Sequence, residues 1–406
     1  MFGRTLRSVR YVAPDGGFWE VTLVGKVVHV RWGKGSSVKT RTAPFNSVAL
    51  AKHELATLVK KVSALGYLPE EKPTTIADVL RANPEDDSPL IVYGDELLSQ
   101  GDLRGEVAAL VNRGKKGELG RFLLAHAPAL FGAAENDVHQ GHAGDLVWAP
   151  GFVKEATLFA PDTSDANELV AVTRRFLSAP VAEFVRELNF GLSWENWGDA
   201  AMQVTRAKHP ELITALRFNA FDPHEFALAD IDAGDFSEVW ARLPELREFR
   251  ACAGVLEPGE LVLPEVRTFS RLGGFTSREV RALTRAKWPR LERLELGFGD
   301  EDPTLLLAWF FTKPQTFKHL ALRGVELSAD LVEGLLDSDL LKQLRTLDLS
   351  DVVLDDDAAE LLQDGAEEMA HLAKISSPWF MDELGEPTTP VLDDLDNLVE
   401  DAFGAG

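Results

Sequence analysis

The 406-residue chain is 45% hydrophobic, which excludes a disordered protein and allows two or three domains with cores of their own. It contains no apolar run of about eighteen residues and no apolar signal segment at its start, so we expect a cytoplasmic protein with no membrane partner. Residues 1–70 carry eleven Lys/Arg and four Asp/Glu, a net charge of +7, whereas residues 71–406 carry 31 and 61, a net charge of −30, so any contact with a polyanion is expected in the first domain.

The first seventy residues predict a small antiparallel sheet followed by one helix. Two β-rich runs, joined at Gly25 and Lys26, read FWEVTLVGKVVHV, and a third run, VKTRTAPF, follows RWGKG. Ser47 opens the segment SVALAKHELATLVKKVSALGY, in which apolar residues recur at helical spacing up to a stop at Gly66. We expect this helix to pack on the sheet.

An aromatic hairpin, the RWGKGSS segment, a basic strand and a Lys-rich helix together resemble the WGR domain over residues 5–70. Trp32, Gly33 and Lys34 match the Trp-Gly-Arg triplet from which that family takes its name. WGR domains occur in poly(ADP-ribose) polymerases, where they help to bind DNA ends, and in bacterial proteins of the molybdate-metabolism-regulator type. Lys34 keeps the charge of the family's arginine but lacks its planar, bidentate fork.

The resemblance implies a surface for nucleic acid or a protein around this triplet. Its expected residues are Arg31, Trp32, Gly33, Lys34, Lys39 and Arg41. Trp32 has the alternative role of an aromatic side chain that covers the sheet, and the cations have the alternative of a solvated basic face.

Residues 74–113 predict a compact helical hairpin, with Pro84 and Pro89 between helical patterns and Gly101 and Asp102 as a stop and a new N-cap. The segment resembles the short companion that precedes leucine-rich repeats in many bacterial proteins. The matching residues are Asn83, Pro84, Asp86, Asp87, Val92, Tyr93, Asp95, Asp102, Arg104, Gly105 and Glu106. That resemblance implies no biochemical activity.

The rest of the chain repeats the motif xxLxL, with helical patterns between its copies. Its equivalent positions are Ala156, Leu188, Leu216, Phe249, Phe269, Leu294, Leu320, Leu347 and Ile375. Thr276 and Glu279 form a predicted capping box at the start of one helix. Each unit is a strand plus a helix that needs neighbours to bury its apolar side, so we expect a leucine-rich-repeat solenoid with one parallel sheet on its concave side.

Residues that alternate with the apolar positions are expected to face the concavity. They are Asn189, Arg217, Arg250, Ser270, Glu295, Ala321 and Asp348. The row runs from basic to acidic, which suggests a protein partner of mixed charge; the alternative is a solvated face without a partner.

The fold class that follows is a multidomain α+β protein. A WGR domain covers residues 1–70, a helical companion segment and linker 71–148, the solenoid 149–380, and an acidic C-terminal tail 381–406.

No set of residues in the sequence predicts catalysis, a cofactor or a metal. Asp137, His139, His142 and Asp145 offer carboxylate and imidazole groups, but a polar loop explains them as well. Gly114, Gly117 and Gly120 are expected to form a flexible turn, and the lone Cys252 a small buried residue. In WGR proteins that transfer ADP-ribose, the catalytic domain follows the WGR domain and needs a tyrosine. All three tyrosines of this chain precede residue 94, so the rest of the chain has none to supply.

We therefore predict a non-enzymatic adaptor. Its WGR domain binds nucleic acid or a protein, and its repeat arc binds a protein partner. The alternatives are a scaffold that binds only protein, without DNA, and a metal-assisted hydrolase that uses residues 137–145.

Overall fold

A computed structural model describes residues 5–13, 17–24, 26–34, 37–65, 67–69, 75–161, 165, 167–191, 197–218, 231–298, 302–372 and 374–376. The chain divides into two compact units, Met1–Thr75 and Ile76–Gly406, called here the N-terminal and the C-terminal unit. The predicted acidic tail and the glycines at positions 25 and 66 lie outside the described residues.

The N-terminal unit holds an antiparallel sheet of five strands in the order β4-β3-β2-β1-β5 and one helix. Its elements are β1 (Thr5–Val12), β2 (Gly17–Val24), β3 (Val27–Lys34), β4 (Ser37–Pro44), α1 (Val48–Ala64) and β5 (Leu68–Pro69). The predicted hairpin, third strand and helix are confirmed, and the Ser47 hydroxyl accepts a hydrogen bond from the Leu50 N–H, as an N-cap does. Strand β1 was not predicted.

Helix α1 packs on β2 and β3 and forms a small core. Val21, Val28 and Val30 of the sheet meet Ala51 and Leu55 of the helix, and all five are buried. Buried and exposed residues alternate along β3, because successive side chains of a strand point to opposite faces. The alternation determines which side chains of β3 stay accessible.

The C-terminal unit begins with six helices, and their ends carry the predicted signals. The helices are α2 (Ile76–Ala82), α3 (Ser88–Ser99), α4 (Leu103–Asn112), α5 (Lys116–Ala125), α6 (Ala127–Phe131) and α7 (Glu135–His139). Gly101 has φ +75°, and the Asp102 side chain caps α4 through the Arg104 N–H at 2.9 Å.

Two expectations about this region are wrong. The glycine-rich turn is limited to Gly114, with φ +64°, because Gly117 and Gly120 lie inside α5. The predicted polar loop at 137–145 contains the end of α7, at His139, and the start of the next strand, at Ala143. In both stretches, contacts with neighbouring helices outweigh the low helical propensity of glycine and the polar composition.

Residues of the companion segment attach these helices to the sheet that follows. The Arg186 guanidinium is buried, donates to the Pro84 carbonyl, and lies 2.6 Å from the Asp87 carboxylate. Arg104 pairs with both Asp102, at 2.6 Å, and Glu183, at 2.9 Å. The motif residues therefore have structural roles.

The C-terminal unit contains a mostly parallel sheet of ten strands in the order β17-β16-β15-β14-β13-β11-β9-β8-β7-β6, with the antiparallel pair β6-β7 at one edge. A separate two-stranded sheet joins β10 and β12. The strands are β6 (Ala143–Ala149), β7 (Phe152–Leu158), β8 (Glu187–Phe190), β9 (Ala215–Phe218), β10 (Asp232–Asp235), β11 (Glu248–Cys252), β12 (Val255–Glu257), β13 (Thr268–Leu272), β14 (Arg293–Gly297), β15 (His319–Leu327), β16 (Thr346–Leu354) and β17 (Lys374–Ser376).

The register of the large sheet confirms the predicted alignment of the repeat positions. Ala156 pairs with Leu188, Leu188 with Leu216, and the series continues without a break to Leu347 and Ile375. Its members from Ala156 to Leu347 are buried. The mixed α/β class is thereby established, with one small antiparallel sheet and one large, mostly parallel sheet.

Helices cover the apolar side of the large sheet and share one continuous core with it. They are α8 (Glu168–Leu177), α9 (Trp197–Val204), α10 (Ser277–Leu283), α11 (Thr304–Thr312), α12 (Ala329–Leu336), α13 (Asp339–Gln343), α14 (Asp356–Asp364) and α15 (Ala366–Met369). The capping box of Thr276 and Glu279 is confirmed at the start of α10, and Cys252 is buried as predicted. Among the described helices, none has the length and apolar character needed to cross a bilayer.

Candidate functional site

Trp32 lies in β3 between Trp19 of β2 and Lys39 of β4. The Trp32 and Trp19 rings are stacked, with their centroids 5.4 Å apart and their planes at 23°. Both rings are half-buried against the core around Val21 and Val30. Trp32 therefore covers the sheet while part of its side chain remains accessible.

Three cationic side chains share the sheet face of Trp32. Lys39 lies opposite Trp32 and Arg41 opposite Val30, and directly opposed residues of antiparallel strands point to the same face. Lys34 follows Trp32 by two positions in β3 and shares its face for the same reason. All three cations are exposed. We call Trp32, Lys34, Lys39 and Arg41 the basic face.

Arg31 does not belong to the basic face, although the sequence placed it in the same cluster. It lies opposite Glu20 and Thr40 on the other side of the sheet. Its guanidinium is 3.8 Å from the Glu20 carboxylate and 5.7 Å from the centre of the Phe18 ring. Strand alternation separates it from Trp32 despite their adjacency in sequence.

Gly33 has a backbone role. A Cβ atom at this position would lie 2.0 Å from the Ser37 carbonyl oxygen and 2.9 Å from the Val38 Cα. Only glycine allows β4 to approach β3 this closely, and β4 carries Lys39 and Arg41. The glycine of the triplet thus supports the basic face without offering a side chain to it.

The second candidate surface is the face of the large sheet opposite its core. The seven residues predicted to lie there form one continuous register row, here called the charge row: Asn189, Arg217, Arg250, Ser270, Glu295, Ala321 and Asp348. The row lies partly buried, with Ser270 and Ala321 inaccessible.

Arg217 is the centre of the first half of the charge row. Its guanidinium donates to Glu248 at 2.7 and 2.9 Å, to Glu187 at 2.9 Å and to Asn189 at 3.3 Å. Hydrogen bonds to Glu248 hold the pKa of Arg217 above its usual range. Glu248 also accepts from Arg250 at 2.6 Å, so the positive charges of this half are neutralised within the chain.

The second half of the row depends on Arg323, which sequence reasoning missed. This residue lies two positions after Ala321 in β15. Its guanidinium is 2.6 Å from the Asp348 carboxylate and 3.4 Å from that of Glu295, which also accepts from Ser270 at 3.0 Å. The charges of the row, basic in its first half and acidic in its second, are thus largely neutralised by neighbouring side chains.

Asp348→Asn is expected to lower the midpoint of thermal unfolding at pH 7 by up to about 3 °C. The hydrogen bond from Arg323 holds the pKa of Asp348 far below its ordinary 3.8. A carboxylate with a depressed folded-state pKa stabilises the protein above its unfolded pKa, near 4, and that contribution is lost as the pH falls below it. Calorimetry from pH 7 down to about pH 2 should show a difference from wild type that is constant above about pH 4 and shrinks progressively below it, and a difference that does not shrink below about pH 4 would contradict the pairing.

The histidine and aspartate cluster at 137–145 has a structural arrangement. Both oxygens of the buried Asp137 carboxylate accept from Arg175, at 2.7 and 2.8 Å, and His142 Nδ1 lies 3.9 Å from the same group. Within the described part of the chain, no three His, Cys, Asp or Glu residues are placed to hold a metal ion. The metal-assisted hydrolase has no geometric support in this region.

Comparisons with known proteins leave the family of the chain open. Neither a protein-family model nor a curated protein matches it. A solved structure from Bacteroides fragilis is similar over 91% of this chain and 89% of its own, with 18% identity and a TM-score of 0.45. A similarity of that level establishes neither a shared fold nor a shared activity.

Proposed function

We propose that the protein is a non-catalytic adaptor whose N-terminal unit binds nucleic acid, DNA ends above all, through the basic face. The observation that supports this proposal is the juxtaposition of an accessible aromatic ring, Trp32, with three exposed cations on the same side of one sheet. An aromatic ring can stack on a terminal base pair, and cations beside it can contact the phosphates that follow.

The distribution of charge favours this unit over the other. Residues 1–70 carry a net charge of +7, and residues 71–406 carry −30. The cations of the charge row are already engaged with carboxylates such as Glu187 and Glu248, whereas Lys39 and Arg41 lie exposed on an edge strand. A nucleic acid is therefore attracted to the basic face and repelled by most of the remaining surface.

For the C-terminal unit we propose a leucine-rich-repeat solenoid that binds a protein partner. The unbroken register series from Ala156 to Ile375 supports the repeat architecture. Because the charges of the row are neutralised internally, a partner would be recognised by shape and hydrogen bonding more than by net charge.

The proposal predicts that Lys39→Glu with Arg41→Glu weakens binding to a short blunt-ended DNA duplex at least about tenfold, because two phosphate contacts become repulsive. Fluorescence anisotropy of a labelled duplex, titrated with the full chain at low salt, measures the effect. Arg31→Glu is the control, because it reverses a charge on the opposite sheet face and should change affinity less than about threefold.

A third variant, Trp32→Phe, tests the stacking role while keeping an aromatic ring against Trp19. It should lower affinity for a blunt end more than affinity for a closed hairpin of the same sequence. If the wild-type chain does not bind DNA at low salt, or if Arg31→Glu weakens binding as much as the double variant, the nucleic-acid function is wrong and a scaffold that binds only protein takes its place.

A further inference from the structure

A cleft with a cationic lining lies on the helical side of the C-terminal unit, between α10 and the segment before β13. Its volume is about 570 Å³, within the range of small-molecule sites. We call it the cationic cleft, and its lining residues are Gly259, Glu260, Leu261, Arg278, Arg281, Ala282, Arg285 and Lys287. Four of these eight residues are cations and one is an acid.

The cleft combines an apolar floor with a charged rim. Leu261 is buried and Ala282 half-buried, whereas the four cations are exposed. Arg281 lies in α10, and Arg285 lies in the turn directly after the end of α10 at Leu283. Both arginines line the cleft, so their guanidinium groups can reach a ligand bound in it.

Two of the four cations are already paired and two are not. Arg278 donates to Glu257 at 2.9 Å, and Lys287 donates to Glu260 at 2.8 Å. Arg281 uses its Nε to donate to the Ser277 carbonyl at 3.0 Å, which leaves its terminal nitrogens available. In the part of the chain that the structure describes, no carboxylate lies within ion-pair distance of Arg281 or Arg285.

We propose that the cationic cleft binds a small ligand with two or more phosphate groups. Guanidinium groups present several N–H donors in a planar fork that matches phosphate oxygens. Arg281 and Arg285 both line the cleft and suit two adjacent phosphates, and the floor of Leu261 and Ala282 suits an apolar or ring portion beside them.

The surrounding charge favours a small anion over a long one. The C-terminal unit is strongly acidic. At physiological ionic strength the Debye length is about 8 Å, so interactions between exposed charges farther apart than this are largely screened. A compact oligophosphate therefore interacts mainly with the cations that line the cleft. A nucleic acid extends beyond it and meets carboxylates, so duplex DNA is expected to bind this cleft more weakly than pyrophosphate does.

Isothermal titration calorimetry of the full chain with inorganic pyrophosphate at low ionic strength tests the site. We expect one saturable site, weakened at least about tenfold by Arg281→Ala with Arg285→Ala. The matched control is Arg174→Ala with Arg206→Ala, which removes the same charge from exposed positions outside the cleft and should change affinity less than about twofold. All four positions are exposed, so circular dichroism should show native folding for both double variants.

Two further ligands distinguish an inorganic oligophosphate from a nucleotide as the natural ligand. Tripolyphosphate and adenosine triphosphate should both compete with pyrophosphate, and tighter binding of the nucleotide would identify the apolar floor as a base or ring site. The proposal is overturned by an absence of binding at millimolar pyrophosphate, by an equal loss in the control variant, or by duplex DNA that binds through Arg281 and Arg285 where pyrophosphate does not.

Discussion

Replacing Arg271 with alanine is expected to lower the free energy of unfolding of the C-terminal unit by about 3–5 kcal/mol, because the buried carboxylate of Glu279 loses its partner. The two side chains are 1% and 2% exposed, and Arg271 Nε lies 2.9 Å from Glu279 Oε1. A charge with so little access to water cannot be solvated in place of its lost ion pair.

Arg271 also donates hydrogen bonds to backbone carbonyls at the ends of β11 and β13. Its guanidinium donates to the carbonyls of Ala253 at 2.6 Å and Gly274 at 2.8 Å, and to that of Leu272. Glu279 in turn accepts from the Thr276 N–H at 3.0 Å and completes the capping box of α10. One substitution therefore affects two strand ends and one helix start.

Urea unfolding followed by circular dichroism measures the effect on the transition of the C-terminal unit. Arg278→Ala is the control, because this exposed arginine lies next to Glu279 in α10 and its pair with Glu257 should contribute at most about 1 kcal/mol. The double variant Arg271→Leu with Glu279→Leu removes both buried charges and should be more stable than Arg271→Ala. A loss for Arg271→Ala no larger than that for Arg278→Ala would contradict the buried pair.

Gly33→Ala is expected to destabilise the pairing of β3 with β4 by more than about 2 kcal/mol. The new Cβ would lie 2.0 Å from the Ser37 carbonyl oxygen, and both atoms near the contact belong to the backbone, so no side-chain rotation relieves it. Because β4 is the edge strand that carries Lys39 and Arg41, its release should also weaken DNA binding.

Hydrogen exchange measured by mass spectrometry locates this change. Amides of β3 and β4 should exchange faster in Gly33→Ala, while those of the large sheet keep the wild-type rate. The matched control is Gly117→Ala in α5, where nothing lies within 4 Å of the added methyl group and a gain of up to about 1 kcal/mol is expected. Unchanged protection of β3 and β4 in Gly33→Ala would show that the close approach is not needed.

The sequence predicts the repeat strands well because their signal is periodic. Every residue aligned by the xxLxL motif lies in the predicted register, from Ala156 to Ile375. The edge strand β6 and the pair of β10 with β12 have no such motif, and β1, whose TLRSVRYV carries basic residues among its apolar ones, was overlooked. Local periodicity therefore predicts the strands that repeat the motif and does not predict the strands that lack it.

The pairing of charges could not be predicted, since it joins residues far apart in sequence. Arg217 meets Glu187 and Glu248 across strands that are 30 and 31 positions away. A signal for Arg271 was present: it occupies a register position held by Ala251 in one neighbouring strand and Leu296 in the other. A lone arginine in an apolar series indicates a buried ion pair, here with Glu279.

The basic face was only partly predictable. Trp32, Lys39 and Arg41 follow from the strand pattern once the register is known, and Arg31 is excluded by the same alternation. The stacking partner, Trp19, was not singled out, because the sequence does not show that β2 places it beside Trp32.

The salt dependence of DNA binding tests the central claim most directly. Each phosphate contact contributes about 0.9 to the slope of log affinity against log salt concentration, so Lys39→Glu with Arg41→Glu should flatten the wild-type slope by about 1.8, and Arg31→Glu should leave it nearly unchanged. Equal slopes for wild type and the double variant, or the same flattening in Arg31→Glu, would contradict binding through the basic face.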